Sequence, residues 1–301
     1  MQLHACYTAP VTTDPKEFPP LKPPRVVLSS LPERYSLPAR PTASAVVQDA
    51  HRQTGFLLGQ ELATFDSAMN LQLRIVAENT KARGPRAAAM FTLGSRAFSH
   101  LADACTLMTY GSYASCTTLL RTALEFIAVE RSLIAGRFAD YEEWFAYAVS
   151  PDRRDAALAI ETGRYKAASA LIADERLGTL YRLMMDLSMP HFGSTVLLTA
   201  PETGLQKIAP SFADGAFHLG WAELITGWLL LLAREQLAAA IESGVFTLSE
   251  TLASDCQAIQ RDIRAALGNK RRCNVEERDG RFLFHNFRRG PAGQPKRVAL
   301  G

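Results

Sequence analysis

Residues 113–135 read YASCTTLLRTALEFIAVERSLIA. Small and apolar residues run through this stretch, and within it Leu119, Leu120, Arg121, Thr122, Ala123, Leu124 and Glu125 set an arginine and a glutamate four residues apart. On a helix that spacing puts both side chains on one face, close enough to touch. Long charged side chains are seldom buried without partners, so the segment predicts one helix of a bundle carrying a polar cluster inside or beside its interior. Thr117 lies one turn earlier on the same face. The pair has two readings. It is an ion pair that fixes how the helix packs, or a site where the planar, permanently charged guanidinium holds a carboxylate or phosphate.

Helical spacing continues on both sides. Val46, Val47, Ala50, Leu57, Leu58, Leu62, Phe65, Met69, Leu73 and Val76 recur largely at three- and four-residue intervals, which predicts a first long helix from about Ser44 to the Gly84-Pro85 stop. A second helix is expected from Arg86 to Tyr110, with Gly111 and Ser112 as a break, and the quoted stretch forms the third, stopped by Gly136. Phe138 to Val149 predicts a short aromatic helix; Ser150, Pro151 and Asp152 then offer an N-cap, a first-turn proline and an acidic first turn for another. Arg164 to Leu187 is helix-patterned and ends near Pro190. After a connection rich in Pro, Gly, Ser and Thr at 199–213, helices are expected over Phe217 to Ile241 and Ser249 to Leu267. Only Arg281 to Phe287 hints at period-two alternation.

The expected fold is therefore all-α, a multi-helix bundle over residues 44–267. Nine of the sixteen prolines precede Ala43, so residues 1–43 are expected to form an extended Pro-rich arm: a disordered leader, a strap packed on the body, or a proline-rich ligand for a partner. Residues 268–301 are a basic tail. From Asn269 onward nine Lys or Arg stand against three acidic residues, +6, and the net +3 of the whole chain leaves −3 for the rest.

Five cysteines with no CxxC pair suggest free thiols and a cytoplasmic setting. No secretory leader is expected in Met1 to Thr13. The greasiest run, Gly220 to Ala233, contains Glu223 and is shorter than the roughly twenty residues a membrane span needs, so it predicts a core helix. Neither a zinc pattern nor the Glu-x-x-His of a di-iron bundle occurs, and GxGxxG, GxxxxGK[ST] and GxSxG are all absent; no metal and no cofactor are expected.

Two further polar groups stand out. Tyr181, Leu187, Ser188, His191 and Gly193 surround a proline-broken helix end, where His191 beside Ser188 could move a proton, contact a phosphate, or simply cap the helix. In the tail Lys270, Arg271, Arg272, Arg278, Arg281, Arg288, Arg289, Lys296 and Arg297 interleave with Phe282, Phe284, His285 and Phe287. Cations beside aromatic faces are what backbone-tracking, base-stacking contacts to RNA use, and a solvated tail has the same composition.

The Leu119-Leu120-Arg121-x-x-Leu124-Glu125 segment after Gly111, followed by Tyr181, Leu187, Ser188 and His191, resembles a group of microbial helical proteins with an LLRxxLE motif and a later YxxLSxxxH motif. Five residues separate Tyr181 from Leu187 and two separate Ser188 from His191, against two and three in that pattern. The group is similar in turn to the HEPN superfamily, many of whose members are RNases of toxin and antiviral systems. That resemblance implies a bundle with a charged interior cluster, self-association, and RNA binding or cleavage in a defence or stress response. The HEPN signature spaces an Arg and a His by four to six residues; here Arg96 and His100 are separated by three.

Arg121, Glu125, Ser188 and His191 are thus the candidate catalytic cluster, and Lys270, Arg271, Arg272, Arg288 and Arg289 the candidate RNA contacts. A homo-oligomer is expected through an apolar helix face. The first function expected is a HEPN-like helical protein acting through RNA or protein binding. Two alternatives stand beside it. One is a metal-independent RNase in which Arg121 steadies phosphate and His191 moves a proton. The other is a small-molecule-binding bundle or pathway enzyme with Trp221 and Trp228 lining an apolar pocket.

Overall fold

The computed structural model describes residues 30–301 except 83, 138–148, 153–156, 161–170, 172, 200–207, 213 and 270. Eight α-helices are described: α1 (Ala45–Leu57), α2 (Gly59–Glu78), α3 (Pro85–Thr109), α4 (Tyr113–Ser132), α5 (Glu175–Ser188), α6 (Phe192–Thr199), α7 (Leu219–Glu242) and α8 (Glu250–Leu267). Strands β1 (Val149–Asp152) and β2 (Ala157–Ile160) make an antiparallel pair, and β3 (Asn274–Arg278), β4 (Arg281–Phe287) and β5 (Lys296–Leu300) a second antiparallel sheet in the order β3-β4-β5. The protein is mainly helical, and the all-α expectation is corrected by the C-terminal sheet.

Local signals explain most helix ends. Gly111 takes φ +78° after α3, with its N–H on the Met108 carbonyl (3.1 Å) and the Ser112 N–H on the Leu107 carbonyl (2.9 Å). That is the paired bonding of a Schellman stop. A Cβ at Gly111 would also collide with the Gly215 carbonyl. Gly111→Ala is expected to destabilise the protein by roughly 2 kcal/mol or more, since it adds left-handed strain to a backbone clash; a urea midpoint within error of the wild type would refute this. Asp174 caps α5 by accepting from the Leu177 N–H (3.0 Å), and Ser249 caps α8 by accepting from the Leu252 N–H (3.3 Å).

Three expectations are corrected. The first long helix is two, α1 and α2, because the chain bends at Leu58 (φ −123°, ψ 20°) just before Gly59, although i→i−4 bonds continue on either side. Ser150-Pro151-Asp152 begins no helix but pairs with Leu158, Ala159 and neighbours as half of a hairpin. A two-stranded hairpin is all edge, where proline's missing N–H costs little. The expected aromatic helix at 138–149 lies outside the described residues apart from Val149, which opens β1.

The basic tail is the third. Asp279 (φ 52°) and Gly280 (φ 72°) make a two-residue turn of left-handed residues between β3 and β4, the geometry that matches strand twist. Phe284 and Phe282 turn inward and are buried in the same core as α7, with Trp221 packed edge-on to Phe284 and Phe287. Gly220 permits this approach: a Cβ there would lie 2.8 Å from the Phe287 ring.

α7 is the axis of the bundle, packed on α2, α3, α4, α8 and β4. It is the one described helix long and apolar enough to cross a membrane, but 67% of its apolar window is buried inside the bundle, as a core helix requires. Of the alternatives for the arm, residues 30–43 take the strap. Tyr35 is buried against Phe65 and Phe98, its N–H donates to Asn70 Oδ1 (3.0 Å), and Asn70 Nδ2 donates back to the Tyr35 carbonyl (3.3 Å). The four described cysteines are buried free thiols, and burial pushes Cys105 and Cys273 up to about 12.

Candidate functional site

Arg121 and Glu125 do meet, on the face of α4 that packs against α5. The Arg121 Nε to Glu125 Oε1 distance is 4.0 Å, and the side chains are 24% and 32% exposed. A loose, partly wet pair of this kind contributes at most about 1 kcal/mol. Arg121 Nη1 donates to Met185 Sδ at 3.2 Å, while Nε is buried without a hydrogen-bond partner. Tyr181 completes the group: burial first, then the Glu125 carboxylate beside it, raise its phenol, and Arg121 pulls the other way.

Ser188 and His191 stand outside this group. The Ser188 hydroxyl donates to the Met185 carbonyl (3.4 Å), and His191 is exposed, with its own carbonyl accepting from the Thr195 N–H (2.9 Å) and from the hydroxyls of Ser194 (3.1 Å) and Thr195 (2.7 Å) at the start of α6. Among the described residues no hydrogen bond or ion pair joins Ser188 or His191 to Arg121 or Glu125. Arg96 and His100 share one neighbour, the Phe126 ring, at 5.6 and 5.9 Å; burial, then Arg96, keep the His100 imidazole below its usual range.

The tail cations divide by role. Arg272 is buried, with Nη1 3.0 Å from Glu61 Oε1 and Nη2 donating to the Glu223 carbonyl at 3.0 Å, so its charge is spent inside the fold. Arg288 is half-buried and donates to the Arg271 carbonyl at 3.5 Å. Arg271 and Arg289 are exposed, and Lys270 lies outside the described residues. The aromatic residues named beside them face inward, and His285 sits 3.1 Å from Glu276. Trp221 and Trp228 are packed in the core and line no cavity described below.

The most distinctive chemistry lies elsewhere. A cavity of ≈ 310 Å³ opens between the strap, α2, α3, α4 and α7, walled by Leu31, Leu73, Ile75, Met90, Phe91, Phe98 and Phe246. Three polar side chains reach it from three helices: Gln72, Glu130 and Gln236. Each is buried, and each keeps an oxygen without a hydrogen-bond partner: Gln72 Oε1, Glu130 Oε2 and Gln236 Oε1. Buried polar atoms are nearly always satisfied, so three orphans around one apolar cavity need a reason. Gly94 makes the room. A Cβ there would lie 3.1 Å from Glu130 Oε1 and 3.6 Å from Gln236 Nε2.

Burial alone pushes the Glu130 carboxyl well above its ordinary 4.5. The sign of the consequence is fixed. Below pH 4.5 both folded and unfolded carboxyls carry a proton; above it the unfolded one ionises first, so stability falls with rising pH by about 1.4 kcal/mol per unit until the folded value is reached. Glu130→Gln is expected to remove that part of the slope. Urea midpoints of both proteins between pH 5 and 7 check it, and parallel slopes would contradict it.

These residues are not among the sequence candidates, yet a signal for them exists. Glu130 extends the buried stripe Cys116, Leu120, Ala123, Ile127, Gln72 extends Phe65, Met69, and Gln236 extends Ile225, Leu229, Ala233. A polar residue at a core position of each of three helices is legible; that the three meet is not. Compared with known protein families, with characterised proteins and with solved structures, the chain matches none.

Proposed function

We propose that this protein binds a small, largely apolar molecule in the cavity between α2, α3, α4 and α7, with the 30–32 strap forming part of its rim. The observation that carries the reading is the combination of ≈ 310 Å³ of space, apolar walls and three unpartnered oxygens on Gln72, Glu130 and Gln236. Ligand sites have this composition: mostly hydrophobic lining, a few convergent polar groups, and a titratable residue far from its usual range. Ser95 is exposed and lines the cavity. A tryptophan at this exposed lining position is expected to fill space that the ligand would occupy.

The test is saturable binding of the neutral apolar fluorophore N-phenyl-1-naphthylamine. One site is expected, lost in Ser95→Trp at unchanged urea stability; no saturable signal, or equal binding by the variant, would overturn the reading.

A second reading, RNA binding by a HEPN-like protein, is favoured by one observation: Arg271, Arg278, Arg281, Lys296 and Arg297 are exposed on and beside the C-terminal sheet. It requires binding of short RNA that weakens steeply between 50 and 200 mM salt. Cleavage by Arg121 and His191 would additionally require that both alanine variants lose activity.

A further inference from the structure

We infer that the cavity is built for the primary ammonium group of an amine with an apolar body. The inference rests on the pocket reading above and adds the chemistry of the ligand's head. Among the described residues that line the cavity there is no Lys, Arg or His. The two amide nitrogens and the Ser95 and Ser99 hydroxyls that line it each make a hydrogen bond. Gln236 Nε2 donates to the Gly94 carbonyl (2.7 Å), Gln72 Nε2 to Met69 Sδ (3.8 Å), the Ser95 hydroxyl to the Thr92 carbonyl (3.0 Å) and the Ser99 hydroxyl to the Ser95 carbonyl (2.9 Å).

Among the described lining residues, the buried side-chain atoms left without a partner are all oxygens: two on amides and one on the Glu130 carboxyl. Three unpartnered oxygens select a ligand rich in donors. An ammonium carries three N–H donors, no acceptor, and a positive charge that pairs with the Glu130 carboxylate once it ionises. A carboxylate ligand would add more acceptors beside Glu130, and an alcohol supplies one donor for three oxygens. The hydrocarbon part of the ligand then lies against Leu73, Ile75, Phe91, Phe98 and Phe246, which return nothing to a polar body.

Binding has a proton balance that separates this from ordinary apolar binding. Glu130 faces Gly94 of α3 and lines the cavity with Gln236 of α7 and Gln72 of α2; burial, with no charged group contributing, favours the protonated form of its carboxyl in the empty cavity. An ammonium then ionises it. Glu130–COOH and R–NH3+ give the carboxylate–ammonium pair, and one proton leaves to solvent, so no charge is created or lost overall.

The experiment is titration calorimetry of the full chain at pH 7 with 2-phenylethylamine and its hydroxyl counterpart 2-phenylethanol, each in phosphate and in Tris. The amine is expected to bind about tenfold or more tightly than the alcohol, as charge-assisted bonds outweigh neutral ones. Its apparent enthalpy should differ between the buffers by up to one proton's ionisation heat, and Glu130→Gln should abolish both the preference and the buffer dependence. Equal binding of amine and alcohol with no buffer dependence would overturn the ammonium inference while leaving the pocket occupied. Binding of neither probe, together with no signal from the naphthylamine, would overturn the pocket reading as well. The buffer comparison on the unaltered protein decides the matter even where the variant folds poorly.

Discussion

Arg272→Ala is expected to cost about 3–5 kcal/mol, a large share of a total stability that is commonly about 5–15 kcal/mol. The side chain is 9% exposed and ties three elements at once. It pairs with Glu61 of α2 at 3.0 Å and donates to the Glu223 carbonyl of α7 at 3.0 Å, just before the Cys273 N–H that donates to Glu223 Oε2 at 2.9 Å. Alanine would leave the Glu61 carboxylate, 20% exposed, without its cation, and the cost of that orphan exceeds the value of the pair itself. A double-mutant cycle with Glu61→Gln measures the coupling: the second substitution should recover part of the loss. A single-variant cost under about 1 kcal/mol in urea would mean that the arginine only decorates the junction.

Phe284→Ala is the second large effect, again about 3–5 kcal/mol. Phe284 is fully buried, its ring 6.0 Å from Trp221 and 6.2 Å from Phe287 at steep angles, so its loss removes both transfer energy and two edge-to-face contacts. Removal should not leave a stable helical body with a loose tail. Because the ring shares one core with α7, fluorescence of Trp221 and helical circular dichroism should fall in a single transition at a lower urea midpoint. Two separated transitions would instead make the sheet an independent unit. The losses in Arg272→Ala and Phe284→Ala should fall short of additive, since both release the same sheet from the same helix.

Helix positions were largely legible because their causes are local. Gly111 stops α3 within four residues of its partners, Ser249 caps α8 from three residues away, and Pro190 follows α5 closely. The Arg121–Glu125 contact is a four-residue event too, and it is present. The same reasoning misread Ser150-Pro151-Asp152, where a proline fits a helix start and an edge strand equally well and the pairing with β2 decided. It also took the interleaved cations and phenylalanines after Asn269 as one solvent-facing class. Strand pairing sorts them, turning Phe282 and Phe284 inward and leaving Arg281 outside.

The sequence by itself determined a helical body, the stop at Gly111, and the Arg121–Glu125 pair within α4. Only the tertiary structure decided which polar residues share a space. Gln72, Glu130 and Gln236 lie on α2, α4 and α7, far apart in the chain, and each alone is a polar residue on an apolar stripe. Caps and turns act over a few residues through backbone bonds. A cavity exists only where helices distant in sequence pack imperfectly around the same volume, and no local rule carries that information.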